Sequence, residues 1–120
     1  MWNRKTCATM LFLLLLAACG PDTIYVRPSL DTPERHVSNG WALLEQGKIQ
    51  DAHREFKYAN ELDPRNVAAL VGVAISMGHQ DKFDEGLKIL EKAEALCTST
   101  EDQALVQKGY TRIEELRTNR

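Results

Sequence analysis

Hydrophobic positions are distributed along this chain in two distinct ways. Residues 10–18 carry no polar side chain, whereas beyond residue 32 apolar and charged positions recur with helical spacing. Asp31-Thr32-Pro33-Glu34 combines a capping residue, a proline for the first turn and an acid, which predicts a helix over residues 33–46 closed by Gly47. Ala52, Phe56 and Ala59 form one stripe of a second helix over 51–62, stopped by Asp63-Pro64 because proline disfavours helix in the residue before it. Residues 67–77 are apolar on nearly every side, the pattern of a helix enclosed by its neighbours. Phe83, Leu87, Leu90, Ala93 and Leu96 mark a fourth helix over 82–96. Thr98-Ser99-Thr100-Glu101 then offers a cap for a fifth, with Leu105, Val106, Tyr110, Ile113 and Leu116 along it.

The N-terminal run has a different meaning. Basic Arg4 and Lys5 precede the apolar stretch 11–16, and small Ala17-Ala18 precede Cys19, the order of a secretory signal. A spanning helix needs about 20 apolar residues, and Gly20, Pro21 and Asp22 cut this run short. Leu16-Ala17-Ala18-Cys19 resembles the lipobox of bacterial lipoproteins, which implies cleavage before Cys19 and lipid on its sulfur. The alternatives are an ordinary cleaved signal with a chance cysteine, or an uncleaved signal anchor. Cys7 would leave with residues 1–18. Several acyl chains, at about 0.8 kcal/mol per buried methylene, hold a protein at a membrane without any apolar surface on the folded part. By the sorting rule in which Asp after the cysteine favours the inner membrane, Gly20 points to the outer membrane and the periplasmic side. Residues 19–32, with Pro21 and Pro28 and no helical period, read as a tether. Its 13 residues after Cys19 reach at most about 45 Å. Ile24-Tyr25-Val26 could instead form a short strand on a partner.

A shift of 34 residues superimposes Gly40 on Ala74, Leu43 on Met77, Ile49 on Phe83, Ala52 on Gly86, Phe56 on Leu90, Ala59 on Ala93 and Leu62 on Leu96. This period, with Gly40-x2-Leu43, Ala52-x3-Phe56 and Pro64 in order, resembles the tetratricopeptide repeat. The second copy carries Leu70-x2-Val73-Ala74-x2-Met77 and Gly86-x3-Leu90, with Thr98 where the proline would stand. His36 and Asn39 occupy the places of the family's W-x2-L start, because Trp41-x2-Leu44 lies in another register. The resemblance implies an all-α fold: a short solenoid of two helix-turn-helix repeats, 33–66 and 67–100, plus a C-terminal capping helix over 101–120. That last helix places Lys108 and Thr111 where earlier copies have small and large apolar residues, and Glu114, Glu115, Arg117, Asn119 and Arg120 suit a solvent face.

Composition narrows the function. The 15 basic and 17 acidic residues give −2; without Arg4 and Lys5, 13 against 17 give −4, with no clustered basic footprint for nucleic acid. His36, His53 and His79 are too scattered for a metal site and read as surface residues, and Cys97 reads as a partly buried small apolar group. Acids such as Glu45, Asp51, Glu55, Asp84 and Glu85 lie beside Lys48, Arg54, Lys82 and Lys88, a pattern of solvated helix faces. Neither a phosphate loop nor a nucleophile elbow occurs. The expectation is a protein that is not an enzyme and carries no metal and no cofactor beyond the lipid on Cys19.

In tetratricopeptide arrays the first helix of each repeat lines a concave groove. Here that face would present Val37, Trp41 and Leu44, then Val71 and Ile75, to an envelope protein or peptide segment. The competing reading covers Trp41 by the tether or by a second copy in a homodimer. The expected function is a periplasmic interaction adaptor, in architecture like small lipoproteins of pilus or secretion-system assembly. The alternative is an envelope-organising lipoprotein that scaffolds or regulates a peptidoglycan enzyme.

Overall fold

A computed structural model describes residues 31–119, and these residues form five α-helices and no strand. They are α1 (Pro33–Glu45), α2 (Ile49–Leu62), α3 (Val67–Gly78), α4 (Phe83–Glu94) and α5 (Thr100–Thr118). The signal segment, Cys19 and the tether lie outside the described residues, apart from Asp31 and Thr32. Among the described residues no helix is long and apolar enough to cross a membrane.

The helix limits follow from local chemistry. Thr32 caps α1, Asn66 caps α3 through a 2.9 Å bond from the Ala69 amide, and Ser99 caps α5 through a 3.1 Å bond from the Asp102 amide. Asp102 returns the favour by accepting from the Thr98 amide at 3.1 Å, so side chains satisfy orphan donors on both sides of the α5 start. The bond from the Thr98 amide, joined by hydrogen bonds from Ser99 and the Thr98 hydroxyl, holds the Asp102 carboxyl below its usual range against the opposing effect of burial.

Two chain reversals share one geometry. After α1 the Gly47 amide donates to Leu44 O and the Lys48 amide to Leu43 O. After α3 the Asp81 amide donates to Gly78 O and the Lys82 amide to Met77 O. Both are Schellman turns, and both need a left-handed residue, supplied by Gly47 at φ 73° and by Asp81 at φ 65°. These positions lie 34 residues apart. Because Gly47 reverses the chain at once, α2 begins at Ile49 rather than at residue 51. The fourth helix is shorter than expected, ending at Glu94 and leaving Leu96 and Cys97 in single turns.

Packing proceeds from neighbour to neighbour. The α1–α2 and α3–α4 hairpins associate through α2 against α3, α1 also touches α3, and α5 lies on α3 and α4. Thus α3 touches all four others, and ten of its twelve residues are buried, as its all-round apolar sequence requires. The repeat seen in the sequence reappears in burial: Gly40 and Ala74, Ala52 and Gly86, Phe56 and Leu90, and Ala59 and Ala93 are all buried. The arrangement is a helical, repeat-like stack. It loses regularity at the end of α2, where Leu62 is 41% exposed while Leu96 is half-buried.

Two apolar clusters hold the stack. The larger joins Leu70, Val71, Ala74 and Ile75 to Leu90, Val106 and Ile113; the smaller centres on Ala52, Phe56 and Val73. Trp41 and Leu44 pack on both. Close approach depends on small residues at the crossings. A Cβ on Gly86 would stand 2.9 Å from the Ala74 carbonyl oxygen, so α4 meets the α3 backbone itself there.

Candidate functional site

The site is best built from Phe56 outward. This ring is fully buried on α2, and the Trp41 ring of α1 meets it nearly edge-on, with centroids 5.0 Å apart at 70°. Trp41 is thereby fixed on one side while remaining half-buried. One turn further along α1, Leu44 continues the same stripe, and Glu45 follows it to the rim. Opposite stands α5, which turns Gln107, Lys108, Thr111, Arg112 and Glu115 toward the same space. Ile75 and His79 of α3 form the floor.

The result is an open groove of about 650 Å³ with an apolar α1 wall and a polar α5 wall. Arg112 is paired with Glu115 at 3.1 Å along the helix. The His79 pKa lies below the usual 6.5, first because the ring is partly buried and then because Arg112 is near. A second hollow, over Leu87 between α4 and the end of α5, is lined chiefly by polar side chains such as Glu114, Thr118 and Asn119.

Of the five residues expected to face a partner, the structure brings three together: Trp41, Leu44 and Ile75. Val71 requires correction, because it is 0% exposed and lies beneath α5, whose Gly109 would place a Cβ 3.2 Å from Val71 Cγ1. The α3 stripe points as expected, but α5 covers its first half. Ile75 retains 4% exposure and contributes only a floor. Val37 is half-buried against the Phe56 cluster and is not part of the groove lining. The α5 wall was missed as a wall; its signal was the polar pair Lys108 and Thr111 at positions where the repeat otherwise places apolar residues.

The histidines also differ from the surface reading. His53 reaches from α2 to Ser76 of α3 at 2.8 Å, and Ser76, fully buried, donates to Val73 O at 2.7 Å. A hydroxyl has one proton to give, so with Ser76 donating to the carbonyl, His53 Nδ1–H is the donor across the helices. Burial, followed by the charges of Lys57 and Lys82, lowers the His53 pKa. His36 is the centre of an ionic cluster: Nε2 lies 2.8 Å from Asp31 Oδ1 and Nδ1 lies 2.8 Å from Glu55 Oε2. Glu55 is accordingly half-buried rather than freely solvated.

The remaining candidate chemistry is quickly placed. Cys97 is half-buried, with its thiol 3.4 Å from Ala93 O, and burial together with Asp102 and Glu94 pushes its pKa up, away from thiolate character. Among the described residues, no group of three or more His, Cys, Asp or Glu side chains is placed to hold a metal ion. Comparison with models of protein families, with curated proteins and with solved structures finds no match.

Proposed function

We propose that this chain is a lipid-anchored adaptor of a bacterial envelope that holds another protein in the groove between α1 and α5. One observation carries the reading: Trp41 and Leu44, over a floor of Ile75, face an open groove opposite a polar helix. Large aromatic side chains mounted at the centre of a contact often dominate its energy, and an apolar groove between helices suits an amphipathic segment of a partner. Trp41 is already held against Phe56, so little side-chain freedom is lost on binding.

The two hairpins are read as degenerate tetratricopeptide repeats followed by a capping helix. Support comes from the 34-residue period, the four buried residue pairs in that register, and the paired turns at Gly47 and Asp81. Lipidation at Cys19 and a periplasm-facing place on the outer membrane belong to the same proposal and rest on the sequence around Leu16-Ala17-Ala18-Cys19-Gly20. Assembly of a pilus or secretion machine is the kind of process such a module serves.

The test is cross-linked capture from envelope membranes with the lipidated wild type and with Trp41→Ala. At least one envelope protein should be recovered by the wild type and lost from the variant, while both proteins give the same helical circular dichroism. Identical recovered sets would overturn the groove reading. Cys19→Ala should fold normally and leave the membrane fraction; retention after alkali washing would replace the lipid anchor by an uncut signal anchor.

A further inference from the structure

His36 lies where three parts of the chain meet: the residues leading into the helices, α1 itself and α2. Both of its ring nitrogens stand 2.8 Å from carboxylate oxygens, of Asp31 on one side and Glu55 on the other, and the side chain is only 15% exposed. A neutral imidazole has one N–H and one lone pair. Two carboxylates at hydrogen-bond distance from two nitrogens are therefore both satisfied only by the imidazolium form. In the neutral ring one lone pair faces a carboxylate oxygen, and that contact is repulsive.

The surroundings reinforce the arrangement. Tyr58 of α2 donates to the other oxygen of Asp31 at 3.2 Å, and its ring meets the His36 ring edge-on at 4.6 Å. Asn39 of α1 donates to Glu55 at 3.3 Å. The charged and titratable groups acting on the cluster are Asp31 and Glu55 on His36, Arg35 on Asp31, and Glu61 on Tyr58. Burial alone disfavours the charged ring, but the bonds to Asp31 and Glu55, with their charges, outweigh it and raise the His36 pKa above the usual 6.5.

The side-chain cap of α1 is the longest of the three: the Arg35 amide stands 3.3 Å from Thr32 Oγ1, against 2.9 and 3.1 Å for the caps of α3 and α5. Asp31 is tied to α2 chiefly through His36 and Tyr58.

We propose that Asp31, His36, Glu55 and Tyr58 form a proton-dependent latch that fixes the direction in which the chain arrives at the helical stack. Closed, with both ring nitrogens donating, the latch fastens residue 31 to α1 and α2 together. Loss of the proton removes one donor, so that one of the two carboxylates then faces a ring lone pair, and the join between residue 31, α1 and α2 loosens. Because the folded pKa is raised, the latch contributes fully below 6.5 and is lost as pH rises through the folded value. It is independent of the groove reading; only its bearing on how the stack stands relative to a membrane rests on the tether.

The test uses the full-length chain, labelled with nitrogen-15, with imidazole signals followed from about pH 5 to about pH 9, the range that brackets histidine titration. His36 should keep both ring protons to higher pH than a histidine in an unfolded chain and be the last of the three histidines to lose one; Asp31→Asn and Glu55→Gln should each lower its midpoint. The difference in melting temperature between wild type and Asp31→Asn should be larger at the acidic end than at the alkaline end. Amide protection at Arg35 and His36, corrected for intrinsic exchange, should fall as His36 deprotonates and be low throughout in Glu55→Gln. A His36 midpoint at or below that of a histidine in an unfolded chain, or a melting difference that does not change with pH, overturns the latch.

Discussion

Replacing Gly72 by alanine sets two effects of known size against each other. Mid-helix alanine is favoured over glycine by about 1 kcal/mol, which would stabilise α3. A Cβ at this position, however, would stand 2.2 Å from Phe56 Cδ1 and 2.4 Å from its Cγ and Cε1. Ordinary carbon contacts begin near 3.5 Å, so the ring must withdraw by about 1.3 Å. It has nowhere to go: Phe56 is 0% exposed, Trp41 bears on it, and a Cβ on Gly40 would already lie 2.6 Å from Cε1. Overpacking of this kind costs about 1–3 kcal/mol, and confinement by two helices places it near the upper end. The net loss is then about 2 kcal/mol, or about 8–16 °C in melting temperature for a stack of this size. Thermal unfolding by circular dichroism reads it directly. In a Phe56→Leu background the ring is gone, and Gly72→Ala should cost little or become stabilising. A melting temperature in Gly72→Ala equal to or above wild type, or the same loss in both backgrounds, would refute the claim that Phe56 forbids a side chain at this crossing.

Three further outcomes are expected. Gly47→Ala places a Cβ on a left-handed residue with open space around it and should lower stability by about 1–2 kcal/mol, measured by urea denaturation; an unchanged or higher midpoint would contradict the turn geometry. Ser76→Ala leaves His53 Nδ1–H without its acceptor between α2 and α3 and should cost about 1–3 kcal/mol, with the His53 midpoint moving in the same sample when followed by NMR. Stability should peak near the unperturbed histidine value of 6.5. Below it, His53 and His79, whose folded pKa values are lowered, must take up protons at a cost; above it, the His36 contribution fades. A melting profile that rises steadily across this range would contradict one of the two signs.

Much of the fold was legible because it is written in local patterns. Proline after Thr32, Asp63-Pro64 and the run Thr98-Ser99-Thr100-Glu101 mark helix ends within a few residues, although that the acid paired with the Ser99 cap is Asp102 emerged only in the structure. Of the seven pairs named by the 34-residue register, four have both members buried, those of Gly40, Ala52, Phe56 and Ala59, while Leu43, Ile49, Leu62 and their partners are half-buried or exposed. Other features were not legible, for reasons that can be stated. Asp81 gives no clear sign of a left-handed turn, since aspartate is common in ordinary loops; only its place 34 residues after Gly47 hints at it. The His36–Glu55 contact spans 19 residues and exists only when α1 and α2 lie against one another. Helical spacing put Val71 and Ile75 on one stripe, but could not say how far α5 would cover it.

The sequence by itself determined to within about two residues where helices start and stop, along with an apolar stripe on each and the enclosure of α3, because capping, proline geometry and the 3.6-residue period act over a single turn or two. Its Leu16-Ala17-Ala18-Cys19 run resembles a lipobox and lies outside the described stack, so lipidation there stays with the proposed function. The tertiary structure decided which apolar residues stay at the surface and which charges meet. Those outcomes depend on how α5 settles over α3 and how α1 lies along α2. Burial and ionic pairing are properties of surfaces brought together from distant parts of the chain, and no local pattern specifies which surface arrives. For Val71 the arriving surface was the backbone of Gly109; for Trp41 it was a groove wall carrying Lys108 and Arg112.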